Sequence, residues 1–114
     1  MWVNALTTIQ NGDLVSGSSD KTVKIWNPND GTLKRTLKGH TDYVQALTTL
    51  QNGYLVSGSW DKTIKIWVSN DGALKRTLNG HTEFVNALTT LPNGDLVSAS
   101  KDRTIRIWNP NAGT

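Results

Sequence analysis

Ser57, His40 and Asp61 are the residue types of a hydrolytic triad: a hydroxyl nucleophile, an imidazole base and a carboxylate to orient it. Ser98, His81 and Asp102 restate the set later in the chain, while Ser16 and Asp20 restate it earlier without a His. Restatement weighs against catalysis, because an enzyme needs one active site and an array needs one brace per unit. Two His and no Cys do not make a zinc site without carboxylates whose placement the sequence does not show. Asn27–Gly31 and Val68–Gly72 resemble calcium loops, but the downstream bidentate Glu is missing and Ala112 stands where the third copy needs Asp, so hairpin turns account for them better. Ser16-Gly17-Ser18 and Ser57-Gly58-Ser59 are not phosphate loops, since no helix follows whose amino end could hold an anion. No catalytic, cofactor-binding or metal-binding residue is predicted.

The spacing of these residues is set by an internal repeat. Asp20-Lys21-Thr22-Val23-Lys24-Ile25-Trp26 recurs as Asp61-Lys62-Thr63-Ile64-Lys65-Ile66-Trp67 and as Asp102-Arg103-Thr104-Ile105-Arg106-Ile107-Trp108, so that Trp26, Trp67 and Trp108 are 41 residues apart. A unit of that size cannot bury its apolar side alone and must stack on its neighbour. The 114 residues hold a little under three periods. Net charge is +3, spread by the repeat rather than clustered, which makes nucleic acid an unlikely partner. Met1-Trp2-Val3 runs straight into repeat text and no apolar stretch approaches a membrane span, so a cytoplasmic protein without signal peptide or membrane contact is expected.

Within the middle unit, Val44 to Leu50 reads as a strand and Gln51-Asn52-Gly53 as a tight turn, with Asn-Gly suited to a two-residue type I′ hairpin. Tyr54 to Ser59 is a second strand, Trp60-Asp61-Lys62 turns the chain, and Thr63 to Val68 is a third. Ser69-Asn70-Asp71-Gly72 makes another turn before a fourth strand, Ala73 to Leu78. No segment carries a capped 3.6-residue apolar pattern, so no helix is predicted.

Gly39-His40 and Gly80-His81 before the first strand, Asp20, Asp61 and Asp102 in the turn between second and third strands, and Trp26, Trp67 and Trp108 ending the third strand resemble a WD-repeat β-propeller over essentially the whole chain. The family's Trp-Asp dipeptide is here Trp26-Asn27, Trp67-Val68 and Trp108-Asn109. The resemblance implies an all-β partial propeller of four-stranded antiparallel blades, about 3–38, 44–79 and 85–114, within a single unit 1–114 whose third blade lacks its outer strand. It also implies a structural network of His40, Ser57, Asp61 and Trp67, of His81, Ser98, Asp102 and Trp108, and a reduced one of Ser16, Asp20 and Trp26.

The units differ at residues 2, 43 and 84 (Trp, Tyr, Phe), at 4, 45 and 86 (Asn, Gln, Asn) and at 19, 60 and 101 (Ser, Trp, Lys). In the family these slots lie on the top rim, which implies a ligand surface of Trp2, Asn4, Ser19, Tyr43, Gln45, Trp60, Phe84, Asn86 and Lys101. The aromatics at 2, 43 and 84 equally suit a semi-buried brace between blades, whereas Trp60, equivalent to Ser19 and Lys101, reads as an exposed contact. Lys34, Arg35, Lys75 and Arg76 on outermost strands read as charges that discourage edge pairing.

The function expected is a non-enzymatic scaffold that binds a protein or peptide on the top face and needs no cofactor. A glycan-binding propeller, or an engineered or truncated fragment with no selected ligand, are the alternatives. The family ring closes by joining strands from both chain ends in one blade, which this sequence does not provide. Copies are therefore expected to associate head to tail, as a trimer with nine blades in preference to a dimer with six, since about 40° per blade is nearer than about 60° to the roughly 45–51° of family rings.

Overall fold

The computed structural model describes residues 2–110; Asn111 to Thr114, which include Ala112 and the end of the predicted third blade, lie outside the described residues. Eleven strands and no helix make up the described chain. In unit 1 these are β1 (Val3–Thr8), β2 (Leu14–Ser18), β3 (Val23–Trp26) and β4 (Leu33–Leu37). Unit 2 has β5 (Val44–Thr49), β6 (Leu55–Ser59), β7 (Ile64–Trp67) and β8 (Leu74–Leu78), and unit 3 has β9 (Val85–Thr90), β10 (Leu96–Ser100) and β11 (Ile105–Trp108). Each unit is a separate antiparallel meander in chain order, of four, four and, among the described residues, three strands.

The loops differ in kind from the simplest sequence expectation. Gln51-Asn52-Gly53 is not a two-residue type I′ turn: Gly53 N–H donates to Leu50 O at 2.9 Å, Leu50 N–H donates to Tyr54 O at 2.8 Å, and only Gly53 has positive φ, at 89°. That is a three-residue loop, a type I turn closed by a left-handed residue. Asn52 serves instead through its side chain, Oδ1 accepting from Tyr54 N–H at 3.0 Å, as Asn11 does for Asp13 at 2.9 Å and Asn93 for Asp95 at 3.0 Å. The β6–β7 turn repeats the form with Lys62 in the left-handed position at φ 76°. The β7–β8 loop is longer, Gly72 N–H donating back to Val68 O at 2.8 Å.

Strand alternation gives each sheet a forward side, toward the next unit, and a rear side. Val15, Val23, Ile25 and Leu37 on the forward side of unit 1 pack with Val44, Leu47, Leu55 and Trp67 on the rear of unit 2. Val56, Ile64, Ile66 and Leu78 then pack in the same way with Val85, Leu88, Leu96 and Trp108 of unit 3. The core therefore lies between sheets.

Both joints need a glycine. A Cβ on Gly17 would stand 2.6 Å from Val44 Cγ1, and one on Gly58 2.7 Å from Val85 Cγ1, so the bare backbone is what lets the next unit's first strand seat. Gly58→Ala should accordingly destabilise by about 1–3 kcal/mol, the cost of overpacking against a β-branched neighbour. Urea unfolding midpoints check this; an unchanged midpoint would show that the joint is looser than described.

Candidate functional site

The Ser, His and Asp side chains meet in units 2 and 3. His40, just ahead of β5, places Nδ1 2.7 Å from Asp61 Oδ2 and Nε2 2.7 Å from Ser57 Oγ. Trp67 Nε1–H donates to the same Ser57 oxygen at 2.8 Å. In unit 3 the distances are 2.8 Å for His81 to Asp102, 2.7 Å for His81 to Ser98 and 2.8 Å for Trp108 to Ser98. The strands bring these residues together because Leu55 pairs with Trp67, so Ser57 and Trp67 lie on the same rear side of the sheet.

With Asp61 ionised, His40 Nδ1 carries the proton, Nε2 accepts from the Ser57 hydroxyl and the Ser57 oxygen accepts from the indole. This connectivity parallels a catalytic triad, but Ser57 is fully buried and its oxygen is occupied by the indole N–H. No acyl group can reach it, and the arrangement braces the blade. Every buried side-chain polar atom among the described residues has a partner.

Burial opposes ionisation of Asp61, but the His40 imidazole and the Thr63 hydroxyl outweigh it and hold the carboxyl well below the usual range. For Asp102 the Thr104 hydroxyl leads, against burial, with His81 adding to it. Thr63 and Thr104 were not among the residues singled out from sequence. Their recurrence two positions after each turn Asp was the available signal, and each also donates its backbone N–H to that Asp at 2.9 Å. Ser59 and Ser100 cap the other side, accepting from the Asp61 and Asp102 amides at 3.0 and 3.1 Å.

Unit 1 is built differently. Trp26 Nε1–H still donates to Ser16 Oγ at 2.9 Å, but Asp20 is paired with Lys24 Nζ at 2.8 Å in place of an imidazole. Burial again opposes the charge, and Lys24 and Thr22 together lower the Asp20 pKa to about 2. Asp20 is also more exposed than its counterparts.

At the sheet ends near these turns lie the positions at which the units differ. Backbone bonds of 2.9 Å from Ser19 N–H to Trp2 O, Trp60 N–H to Tyr43 O and Lys101 N–H to Phe84 O hold each variable pair side by side. Trp60 is half-buried between two rings, with centroids 4.6 Å from Tyr43 and 4.5 Å from Phe84, the latter stacked at 7°. Phe84 belongs to the next unit, which is why comparison of units in sequence does not reveal a large-ring slot at Trp60. Asn4 is half-buried and donates to Ser19 Oγ and to Val44 O, both at 3.3 Å; Gln45 is half-buried, and Asn86 and Lys101 are exposed. Lys101 Nζ lies 5.4 Å from the Phe84 ring centre. Trp2 is 79% exposed.

Outer-strand cations are engaged locally: Lys34 with Asp13 at 2.7 Å, Arg35 with Asp71 O at 3.2 Å and Lys75 over Tyr54. Among the described residues no three His, Cys, Asp or Glu gather to hold a metal, and no helix is long and apolar enough to cross a membrane.

Antiparallel meanders stacked face to face, two of them braced by a His–Ser–Asp–Trp network and the first by its Trp–Ser and Asp–Lys pairs, define propeller blades. The WD40 family profile (WD domain, G-beta repeat) matches residues 1–27, 31–68 and 72–109, and the chain belongs to that family. A crystal structure of the WD40 beta propeller domain of Doa1 superposes with a TM-score of 0.86 at 30% identity, over 92% of this chain and 36% of that one. Nuclear distribution protein nudF 2 of Penicillium rubens is 61% identical over 28 residues, 25% of this chain and 6% of that protein. The chain thus spans about a third of the solved propeller and a small part of the fungal relative. Propellers of this family generally serve as protein-interaction scaffolds.

Asp61→Ala should cost about 1–3 kcal/mol by stranding His40 and Thr63. Asp102→Ala should destabilise in the same way and Asp20→Ala less, as read from denaturation midpoints; Asp20→Ala as the worst of the three would contradict the network. All three folded carboxyls lie below the unfolded value of about 3.9. Their contribution is therefore full above that value and is lost as pH falls through the folded ones. Melting temperatures should drop below about pH 4, and Asp61→Asn should flatten the fall.

Proposed function

We propose that the chain is a non-enzymatic recognition scaffold that binds a protein or peptide on its top rim, in a ring formed by association of copies. The observation that carries this reading is the clustering of the varied positions. Trp2, Asn4, Ser19, Tyr43, Gln45, Trp60, Phe84, Asn86 and Lys101 are where otherwise near-identical units diverge, and the backbone bonds hold the aromatic of each unit beside Ser19, Trp60 or Lys101 at the same end of every sheet. Large rings beside amides and a cation have the composition of interface hot spots.

Association is supported by the two end sheets. On the rear of unit 1, Val3 is 60% exposed where its equivalent Val44 is fully covered, and Leu6 is 63% exposed where its equivalent Leu47 is half-buried. On the front of unit 3, Ile105 and Ile107 are 72% and 63% exposed where Ile64 and Ile66 are at 0% and 1%. Apolar faces of this kind mark association surfaces. A head-to-tail contact closes only when the rotations complete a turn, and the trimer of nine blades is preferred to the dimer of six.

Light scattering should return three times the chain mass, and a peptide-array screen should give hits that weaken in the Trp60→Ser, Lys101→Ser double variant. Because Trp60 lies between two rings, that variant also loses about 1–3 kcal/mol of stability, from two aromatic pairs. Folded double variant with hits identical to wild type would remove the top-rim reading. A mass equal to one chain at all concentrations would remove the ring.

A further inference from the structure

The two joints inside the chain show what each open face accepts and also that the joints are not identical. Between units 1 and 2 the rim is closed by Ser19 and by Asn4, whose amide donates to Val44 O at 3.3 Å. Between units 2 and 3 it is closed by Trp60, which touches the ring of its own unit, Tyr43, and the ring of the following unit, Phe84. Trp60 is therefore the spacer between two consecutive aromatics of the rim, at the position that Ser19 and Lys101 hold in the other units. By that equivalence Lys101 stands between Phe84 and whatever ring follows, and it already lies 5.4 Å from the Phe84 centre with its other side open. The equivalent ring at the opposite end of the described chain is Trp2, 79% exposed.

We propose that the occupant of the open face of unit 3 is a second copy of this chain, entering rear side first, with the incoming copy's Trp2 closing over Lys101 so that the ammonium is held between Trp2 and Phe84. This rests on the self-association proposed above and assigns its sense and its contact residues. Asn86, exposed in the single chain, is the same residue as Asn4 and donates in the same way, to the incoming copy's Val3 carbonyl. The occupant is a second copy because the same pairing of forward and rear sides is already packed twice within the chain, with the same residue types on both sides. Two forward sides of unit 3 meeting each other would instead set Lys101 against Lys101.

The new joint is wider than the other two. Unit 3 carries Ala99 where units 1 and 2 carry Gly17 and Gly58, and a Cβ at those glycines would stand 2.6 and 2.7 Å from the next unit's valine. Ala99 has that Cβ, so the incoming Val3 seats less deeply. Pro92 replaces Gln10 and Gln51, and Gln51 bridges its joint by donating to Pro92 O at 2.9 Å; that bridge is lost at the new joint. A lysine, long and flexible, spans a wider gap between two rings where a stacked indole would not.

The test is a double-variant cycle on self-association, by sedimentation velocity over a concentration series, with circular dichroism to confirm that each variant is folded. Trp2→Ala and Lys101→Ala should each weaken association roughly 2- to 30-fold, the range of one cation–π contact. Trp2 and Lys101 lie at opposite ends of one chain, so any coupling between them arises between copies. The double variant should be no weaker than the weaker single, Lys101→Arg should retain association, and Ala99→Gly should tighten it several-fold. Association that persists while the two effects simply multiply, or that weakens on Ala99→Gly, would overturn this joint and leave self-association standing. A single-chain mass at every concentration would overturn self-association itself.

Discussion

The packing of one sheet's forward side on the next sheet's rear side is the constraint on which the rest of this structure depends. A four-stranded meander has no interior of its own, and its valines, isoleucines and leucines leave water only when another unit covers them, each contributing about 1.5–3 kcal/mol when fully buried. Trp67 is the clearest case, because its indole N–H is spent on Ser57 while its ring packs into the cluster made with unit 1. The polar brace thus orients the largest apolar group at the joint. In unit 1, whose rear side is uncovered among the described residues, Trp26 lines an open cavity of about 340 Å³ with Val3, Leu6 and Leu14.

The brace is closed because it lies in a region of low dielectric where an unpaired group is costly. The indole, hydroxyl, imidazole and carboxylate of unit 2 each find a partner, and the carboxylate also organises the β6–β7 turn through Thr63. That turn holds Lys62 in a left-handed conformation disfavoured for a side-chain-bearing residue, so the Asp–Thr bonds stabilise a backbone that the local sequence alone would not select. A hydrolase could use the same three residue types, and solvent access to the serine is what separates the two uses.

Near-identical units do not make identical joints. The profile repeat 31–68 takes in β4 together with β5 to β7, so the sequence unit and the sheet are out of phase and the two four-stranded sheets draw their outer strands from the following repeat. Differences at one position of a unit are therefore felt by its neighbour: Trp60 acts on Phe84, Gly58 on Val85 and Gln51 on Pro92.

The strands of each unit and their turns were legible in the sequence, because a repeat restates each local constraint until chance agreement becomes improbable, whereas the pairing of His, Ser, Asp and Trp came from the family resemblance that the repeated residues carry. The Gly-containing turns were legible as turns, but their length was not. Whether Asn-Gly closes in two residues or three depends on strand register, and here Asn52 contributes an acceptor side chain while Gly53 alone takes positive φ. The sequence also left Trp60 without a partner, Asp20 without a cation and Gly58, whose small size suits close backbone approach, without a named neighbour. Those roles are contacts to Phe84, Lys24 and Val85. Lys24 was hidden because its equivalent Lys65 bonds Thr77 instead, and the other two because their partners belong to the next unit. A single unit's text specifies its own hydrogen-bonding pattern, and only the stacking of units brings residues 24 and 27 positions apart together, the ring of Trp60 on that of Phe84 and the Val85 side chain into the space that a Cβ on Gly58 would fill.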